Sequence, residues 1–244
     1  RAPTTSHPLL EGGEPMTGFV ELFTRYDVLG AFWLTIQLSL LGTLGALVIG
    51  LVIAICRVSP VGVLQKFGSA YVTVFRNTPL TLIVAFCLLG LSFTLGITLA
   101  DPNSPTSITD NGVRWAIVAL AFYHASFVAE AIRSGINTVP QGQAEAARSI
   151  GLGFTSTLRY VVLPQAMRGA VAPLGNTVIA LTKNTTVAAT IGVAELAFQM
   201  KNMIEFSPQY LYLIFFVMAS AFVILTLPVG LLFTWLSNRL AVQR

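Results

Sequence analysis

Residues 141–166 read QGQAEAARSIGLGFTSTLRYVVLPQA, a polar stretch between two apolar ones. Pro140 can open a helix here, because proline is tolerated at helix starts, and the residues that follow are mostly good helix formers. Gly151 and Gly153 permit a sharp turn, and a second short helix is predicted to end before Pro164. Two short helices joined by a glycine turn form a projection that suits contact with another protein.

The rest of the chain has the composition of an integral membrane protein. Of its 244 residues, 55% are hydrophobic and only 10% are charged, with a mean hydropathy of +0.76. Soluble domains carry about 25% charged residues. Since one crossing takes about 20 apolar residues, the chain has room for several spans and little else. We predict an all-α integral membrane protein with about five transmembrane helices.

The predicted spans are residues 31–56, 80–99, 114–133, 169–192 and 210–236. Between them we predict an amphipathic surface helix at 57–79, a loop at 100–113, and an interfacial helix and turn at 194–209. Residues 1–30 are predicted as a tail followed by an interfacial helix. Residues 31–244 form the transmembrane domain, with its extramembrane helices at about 140–165. In the first span, Gly42, Gly45 and Gly50 permit close helix packing.

The basic residues predict the orientation, because cytoplasmic loops are enriched in Lys and Arg. With the N-terminus outside, nine fall on the cytoplasmic side: Arg57, Lys66, Arg76, Arg133, Arg148, Arg159, Arg168, Arg239 and Arg244. Four fall outside, Arg1, Arg25, Arg114 and Lys201, and Lys183 falls in the membrane. Residues 141–166 and the C-terminus are therefore predicted to be cytoplasmic. The dispersed charges lack the aromatic-basic pattern of a nucleic-acid surface, so no nucleic-acid partner is expected.

Several motifs carry a family resemblance. Glu145, Ala146, Ala147, Gly151, Val161, Leu163 and Pro164 fit the pattern EAA, three residues, G, nine residues, I or V, x, L, P. This pattern resembles the cytoplasmic signature of ABC importer permeases. YVTVFRNTPL, FVAEAIRSGINTVPQGQAEAARSIGLG, VVLPQAMRGAVAPLGNTVIAL and IGVAEL together resemble the polar amino-acid uptake family. RNTPL and LTKNTT are most similar to permeases of actinobacterial glutamate uptake systems.

The resemblance implies a type I ABC importer permease in a bacterial plasma membrane. It implies four kinds of partner. Three are proteins: a second permease, alike or identical, two cytoplasmic ATPases and an extracytoplasmic solute-binding protein. The fourth is a polar amino acid, expected to be glutamate or aspartate, with another polar amino acid such as glutamine as the alternative. Ile150, Leu152 and Phe154 would join the signature in contacting the ATPase. Because the sequence has no GxxxxGK[ST] loop, ATP and Mg are expected on the ATPase, and this chain is expected to be no enzyme and to hold no cofactor or metal.

Polar residues in the fourth predicted span are candidates for the substrate pathway. A charge at the bilayer centre costs about 2.5–3.5 kcal/mol, so Lys183 needs a partner or a purpose. Asn176 lies seven residues earlier, on the same helical face. The family usually has lysine, aspartate, threonine and serine where this chain has Lys183, Asn184, Thr185 and Thr186. We hypothesise that Asn184 leaves a more positive field that tolerates an anionic amino acid. Alternatively, Lys183 is structural and bonds carbonyls or Glu130.

The third predicted span carries Ser126, Glu130 and Arg133 at i, i+4 and i+7, on one face. Glu130 and Arg133 can therefore pair, either as a structural ion pair or as part of a gate. His124 stands where the family often has asparagine. It either touches the substrate carboxylate or is a neutral core histidine.

Arg76, Asn77 and Thr78 precede the second predicted span and belong either to a gate or to the membrane interface. The sequence is also compatible with a different function class. In an ion-coupled transporter or channel, Glu130 and Lys183 would form a relay.

Overall fold

The computed structural model describes residues 15–240, so the predicted tail at 1–14 lies outside the described residues. The helices are α1 Pro15–Arg25, α2 Val28–Val58, α3 Gly62–Asn77, α4 Leu80–Ala85, α5 Ser107–Ile136, α6 Gln141–Ser149, α7 Phe154–Thr157, α8 Leu163–Asn184, α9 Leu196–Phe206 and α10 Leu211–Leu240. Phe86–Thr94 and Leu158–Val162 are π-helical, and Thr185–Ile191 and Pro208–Tyr210 are 3-10 turns. The predicted all-α class is confirmed.

Three helices of residues 15–240 are long and apolar enough to cross a membrane: α2, α5 and α10 with its preceding turn. A fourth candidate is α3 together with α4 and its π-helical extension, although these two parts meet at 102°. The bend agrees with the predicted surface helix that leads into a span. α8 has 22 residues, or about 33 Å of helix, enough to span a bilayer core. Its polar residues, Asn176 and Lys183 among them, make it less apolar than the other spans.

α5 is the centre of the fold. It packs against α2 on one side and α8 on the other, and it is the most buried of the three long helices. A Cβ atom added to Gly45 would lie 2.7 Å from the Cβ atom of Ala121, and one added to Gly50 would lie 2.9 Å from the backbone oxygen of Ala125. The close packing predicted for the glycines of the first span is therefore confirmed.

α5 begins earlier than predicted. The sequence predicts a loop over 100–113, but the helix starts at Ser107. The Thr106 hydroxyl donates a hydrogen bond to Asp110 Oδ2 at 2.7 Å. Asp110 lies in the first turn of α5, where the helix dipole stabilises a negative charge. This side-chain hydrogen bond and the placement of Asp110 both favour a helix start in the second half of the polar segment.

The predicted helix end before Pro164 is wrong. α7, the π-helical turn Leu158–Val162 and α8 follow one another without a break, and Pro164 lies at the start of α8. Proline has no N–H to donate and clashes with the preceding turn of a regular α-helix. The wider π-helical turn accommodates that lost hydrogen bond, so the chain remains helical from Phe154 to Ile191.

The packing of α2 on α5 can be tested with two glycines. Gly50→Ala is expected to lower the free energy of unfolding by about 1–3 kcal/mol, because its Cβ atom meets backbone that cannot rotate away. Gly62→Ala is the control, since nothing lies within 4 Å of a Cβ atom at that position. Thermal unfolding of the purified protein in detergent measures both. Equal melting temperatures for the two variants would contradict the packing.

Candidate functional site

His124 of α5 and Asn184 of α8 are in contact. The His124 ring is buried, with 1% of the residue exposed. Its Nδ1 lies 3.0 Å from the backbone oxygen of Leu120, and its Nε2 lies 3.1 Å from Asn184 Nδ2. Because a carbonyl only accepts, Nδ1 carries the proton, and Nε2 then accepts from the Asn184 amide. A neutral histidine satisfies both contacts, as the core-histidine alternative requires.

This contact joins two candidate pathway residues that lie 60 positions apart in the sequence. An aspartate at 184 would place a negative charge against Nε2, whereas the amide leaves the contact neutral. The two side chains therefore share one local environment.

Lys183 and Asn176 are both exposed on α8, seven residues apart, so the predicted shared face is confirmed. Within residues 15–240 no ion pair or hydrogen bond joins the Lys183 side chain to Glu130. The Lys183 backbone oxygen accepts from the Thr186 hydroxyl at 2.9 Å. Thr185 is buried and donates to a backbone oxygen one turn back. The Lys183 side chain is thus exposed on the surface of this chain, next to Asn184 in the sequence.

A second group of polar residues surrounds Glu130. Arg133 Nη2 lies 2.9 Å from Glu130 Oε2, which confirms the predicted pair. Arg57 of α2 also donates to Glu130, from 73 positions away. Arg76 Nη1 lies 3.9 Å from Oε2. The sequence did not identify Arg57 as a partner, although it lies at the same predicted membrane boundary as the other two arginines.

The remaining predicted pathway residues bond to nearby backbone. Asn77 Nδ2 donates to Thr73 O at 2.7 Å, the Thr78 hydroxyl to Val74 O at 2.8 Å, and the Ser126 hydroxyl to Tyr123 O at 2.6 Å. Arg76 lies over the Phe127 ring, 5.4 Å from its centroid. Arg76, Asn77 and Glu130 line one cavity. The predicted pathway residues thus fall into two groups, one around Asn184 and one around Glu130.

Within residues 141–166, α6 ends in a Schellman motif. Gly151 has φ +89°, its N–H donates to Arg148 O at 2.9 Å, and the Leu152 N–H donates to Ala147 O at 3.1 Å. The turn predicted at Gly151 is confirmed. Gly153 has φ −67°, a conformation open to any residue, so the expectation that it also makes the turn is wrong.

The turn leaves apolar side chains on the surface. Ile150 is 78% exposed and Phe154 is 42% exposed. Of the other signature residues, Glu145, Ala146 and Pro164 are exposed, Leu152 and Leu163 are half-buried, and Ala147 is buried. An exposed isoleucine and phenylalanine on either side of a rigid turn form a surface that a partner can cover.

The profile described as "Binding-protein-dependent transport system inner membrane component" matches residues 46–242. The chain belongs to this family. It is therefore a membrane component of a binding-protein-dependent transport system, and its relatives are permease subunits rather than enzymes.

Two relatives come from Corynebacterium. The glutamate transport system permease protein GluC of Corynebacterium glutamicum is 51% identical over 218 residues, covering 89% of this chain and 96% of the relative. GluC of Corynebacterium efficiens is 49% identical over the same length. The probable glutamine ABC transporter permease protein GlnM of Bacillus subtilis is 31% identical over 90% of this chain and 96% of its own length.

Solved structures share the fold of this inner membrane component. The crystal structure of an amino acid ABC transporter with histidines has a chain with a TM-score of 0.74 and 28% identity, covering 92% of this chain and 96% of that one. An inward-facing MetNI methionine ABC transporter has a TM-score of 0.71 at 20% identity, covering 94% of this chain and 100% of that one, and shows the fold alone. The predicted type I permease fold is confirmed.

The ion pairs of Glu130 predict which of two substitutions destabilises the protein more. Glu130→Gln is expected to lower the free energy of unfolding by about 1–3 kcal/mol, because Arg57, with 16% of its side chain exposed, loses a charged acceptor. Arg76→Gln is expected to have a smaller effect, since Arg76 is 45% exposed and lies 3.9 Å from the carboxylate. Thermal unfolding in detergent compares them. A larger loss in Arg76→Gln would contradict the geometry.

Proposed function

We propose that this chain is the permease of an ATP-driven importer of an acidic amino acid, glutamate or aspartate. The neutral contact between His124 and Asn184, beside the exposed Lys183, is the observation that carries the proposal. Two relatives at about half identity are named as glutamate transport permeases, and a solved relative at 28% identity is an amino acid ABC transporter. These names support the substrate class.

The charges around Asn184 favour an anion. α8 contains no acidic residue from end to end. Glu130 lies near the C-terminal end of α5. It accepts hydrogen bonds from Arg57 and Arg133, so its negative charge is compensated within this chain. No carboxylate on α8, all of which the structure describes, therefore compensates the positive charge of Lys183. A substrate with a net negative charge is attracted there, and a cationic amino acid is repelled.

The proposed assembly has this chain beside a second permease, alike or identical, with α8 facing the cavity between them. The exposed positions of Asn176 and Lys183 support that arrangement, because polar side chains at membrane depth face a bundle interior or a water-filled cavity. Two cytoplasmic subunits bind ATP and Mg and carry out hydrolysis. An extracytoplasmic solute-binding protein delivers the amino acid.

The N-terminus lies outside and the C-terminus inside in this proposal. The nine basic residues on one side against four on the other support it, because positive charge accumulates in cytoplasmic loops. In the proposed division, α1 is an interfacial helix that precedes the permease domain at residues 31–244. Residues 140–165 then face the cytoplasm and meet the ATPase.

Residues 140–165 are the coupling segment. Ile150 and Phe154 provide apolar contacts for a groove on the ATPase, in the way that exposed helix faces dock in grooves. Because α7, the π-helical turn and α8 are continuous, a displacement of the coupling segment is transmitted along one helix to Asn184. This connection gives ATP-driven motion a direct route to the substrate site.

The proposed role of Asn184 predicts a change in specificity. Asn184→Asp is expected to lower glutamate uptake about tenfold, because a carboxylate beside Lys183 cancels the positive field that holds the substrate. Uptake of labelled glutamate by membrane vesicles containing the complete transporter measures the effect, corrected for the amount of permease in the membrane. Glutamine uptake is measured in parallel.

The double variant His124→Asn with Asn184→Asp controls for a misfit between the two side chains. It is expected to assemble as well as the native chain and still to disfavour glutamate. An unchanged preference for glutamate in both variants would reject Asn184 as a determinant. A native preference for glutamine over glutamate would reject the acidic substrate.

Two neighbouring glycines test the coupling segment. Gly151→Ala is expected to reduce uptake strongly, because a side chain at φ +89° costs about 1–2 kcal/mol and unwinds the turn, and Gly151→Pro is expected to abolish it. Gly153→Ala is the control, since Gly153 has an ordinary φ and open space around its Cβ position. Uptake and co-purification of the ATPase are measured together. Full uptake in Gly151→Pro would contradict the proposed coupling role.

A further inference from the structure

A polar cavity of about 380 Å³ lies between α2, α3 and α5. Its lining includes Arg57, Arg76, Asn77 and Glu130. The substrate site proposed above involves His124 and Asn184 and does not use this cavity. The cavity is therefore separate from that site.

The charges of this cavity do not balance. Glu130 is the sole acidic residue in its described lining, and three guanidinium groups lie around that carboxylate. Arg57 and Arg133 donate hydrogen bonds to Glu130. Arg76 is 3.9 Å away, too far for a hydrogen bond. One carboxylate against three arginines leaves two positive charges uncompensated.

Donor groups remain free for a ligand. Arg76 is held over the Phe127 ring, with 45% of its side chain exposed, and its guanidinium donates no hydrogen bond to any described residue. Arg133 adds positive charge beside Glu130 but does not itself line the cavity. Planar guanidinium groups bind oxyanions through paired N–H donors. The vacant donors and the surplus charge both favour an oxyanion.

We propose that this cavity binds a phosphate group, carried by an anionic phospholipid headgroup or present as free phosphate. Arg57, Arg76 and Arg133 each lie in the last turn of their helix. α2 and α5 are apolar helices that end there, and α3 is the surface helix that ends just before α4 begins, so all three arginines lie at the boundary where the lipid phosphates are expected. Basic pockets between membrane helices bind anionic headgroups in this way. The proposal is independent of which amino acid is transported.

The transporter purified with its partner subunits in detergent is titrated with phosphatidylglycerol and, separately, with zwitterionic phosphatidylcholine. Native mass spectrometry counts the lipids bound. Phosphatidylglycerol is expected to bind more tightly than phosphatidylcholine, and Arg76→Gln to weaken it about tenfold, because one charge-assisted contact is lost. Arg239→Gln is the matched control, since Arg239 also lies over an aromatic ring, that of Trp235, but outside the cavity.

Glu130→Gln is expected to change binding in the opposite direction. Removing the carboxylate raises the surplus from two positive charges to three, so phosphatidylglycerol should bind more tightly to the folded variant. Inorganic phosphate is added in competition to separate the two sources. Retention of the lipid assigns the site to the headgroup, and displacement by phosphate assigns it to the free anion. Equal lipid binding by the native chain, Arg76→Gln and Arg239→Gln, together with no effect of inorganic phosphate, would overturn the proposal.

Discussion

The close approach of α2 and α8 to α5 is the constraint on which the rest of the structure depends. Without a hydrophobic driving force between helices in lipid, small residues must allow backbones to meet. Gly45 and Gly50 do so on the side of α2. On the side of α8, Gly135 faces the backbone oxygen of Ala166, where no side chain would fit. α5 is therefore held tightly on two sides.

This packing positions both polar groups of the protein. His124 and Glu130 are six residues apart on α5, and each contacts a partner on a helix that the glycines bring close. Asn184 comes from α8, and Arg57 comes from α2. α8 in turn continues the coupling segment through the π-helical turn before Pro164. In the proposed mechanism, α8 transmits the displacement of the coupling segment to Asn184.

Much of this architecture follows from local sequence signals. The apolar stretches predict the long helices, the spacing from Glu130 to Arg133 predicts their pair, and Gly151 predicts the turn at the end of α6. Helical periodicity and turn chemistry report on neighbours within about two turns. These three predictions agree with the structure.

Contacts between distant segments could not be predicted from the sequence. The pairing of His124 with Asn184 and of Arg57 with Glu130 depends on how three helices pack, which no short window contains. The helix through Pro164 was missed because a proline ends a regular helix but is tolerated after a π-helical turn. Finding these features needs the packed structure.

The most direct test of the account is transport by the complete system in proteoliposomes. The reconstituted permeases, ATPase subunits and solute-binding protein should import labelled glutamate only with ATP inside the compartment that holds the ATPase. Unlabelled aspartate should compete, and arginine should not. Glutamate import by this chain alone, without ATPase subunits or ATP, would contradict the account.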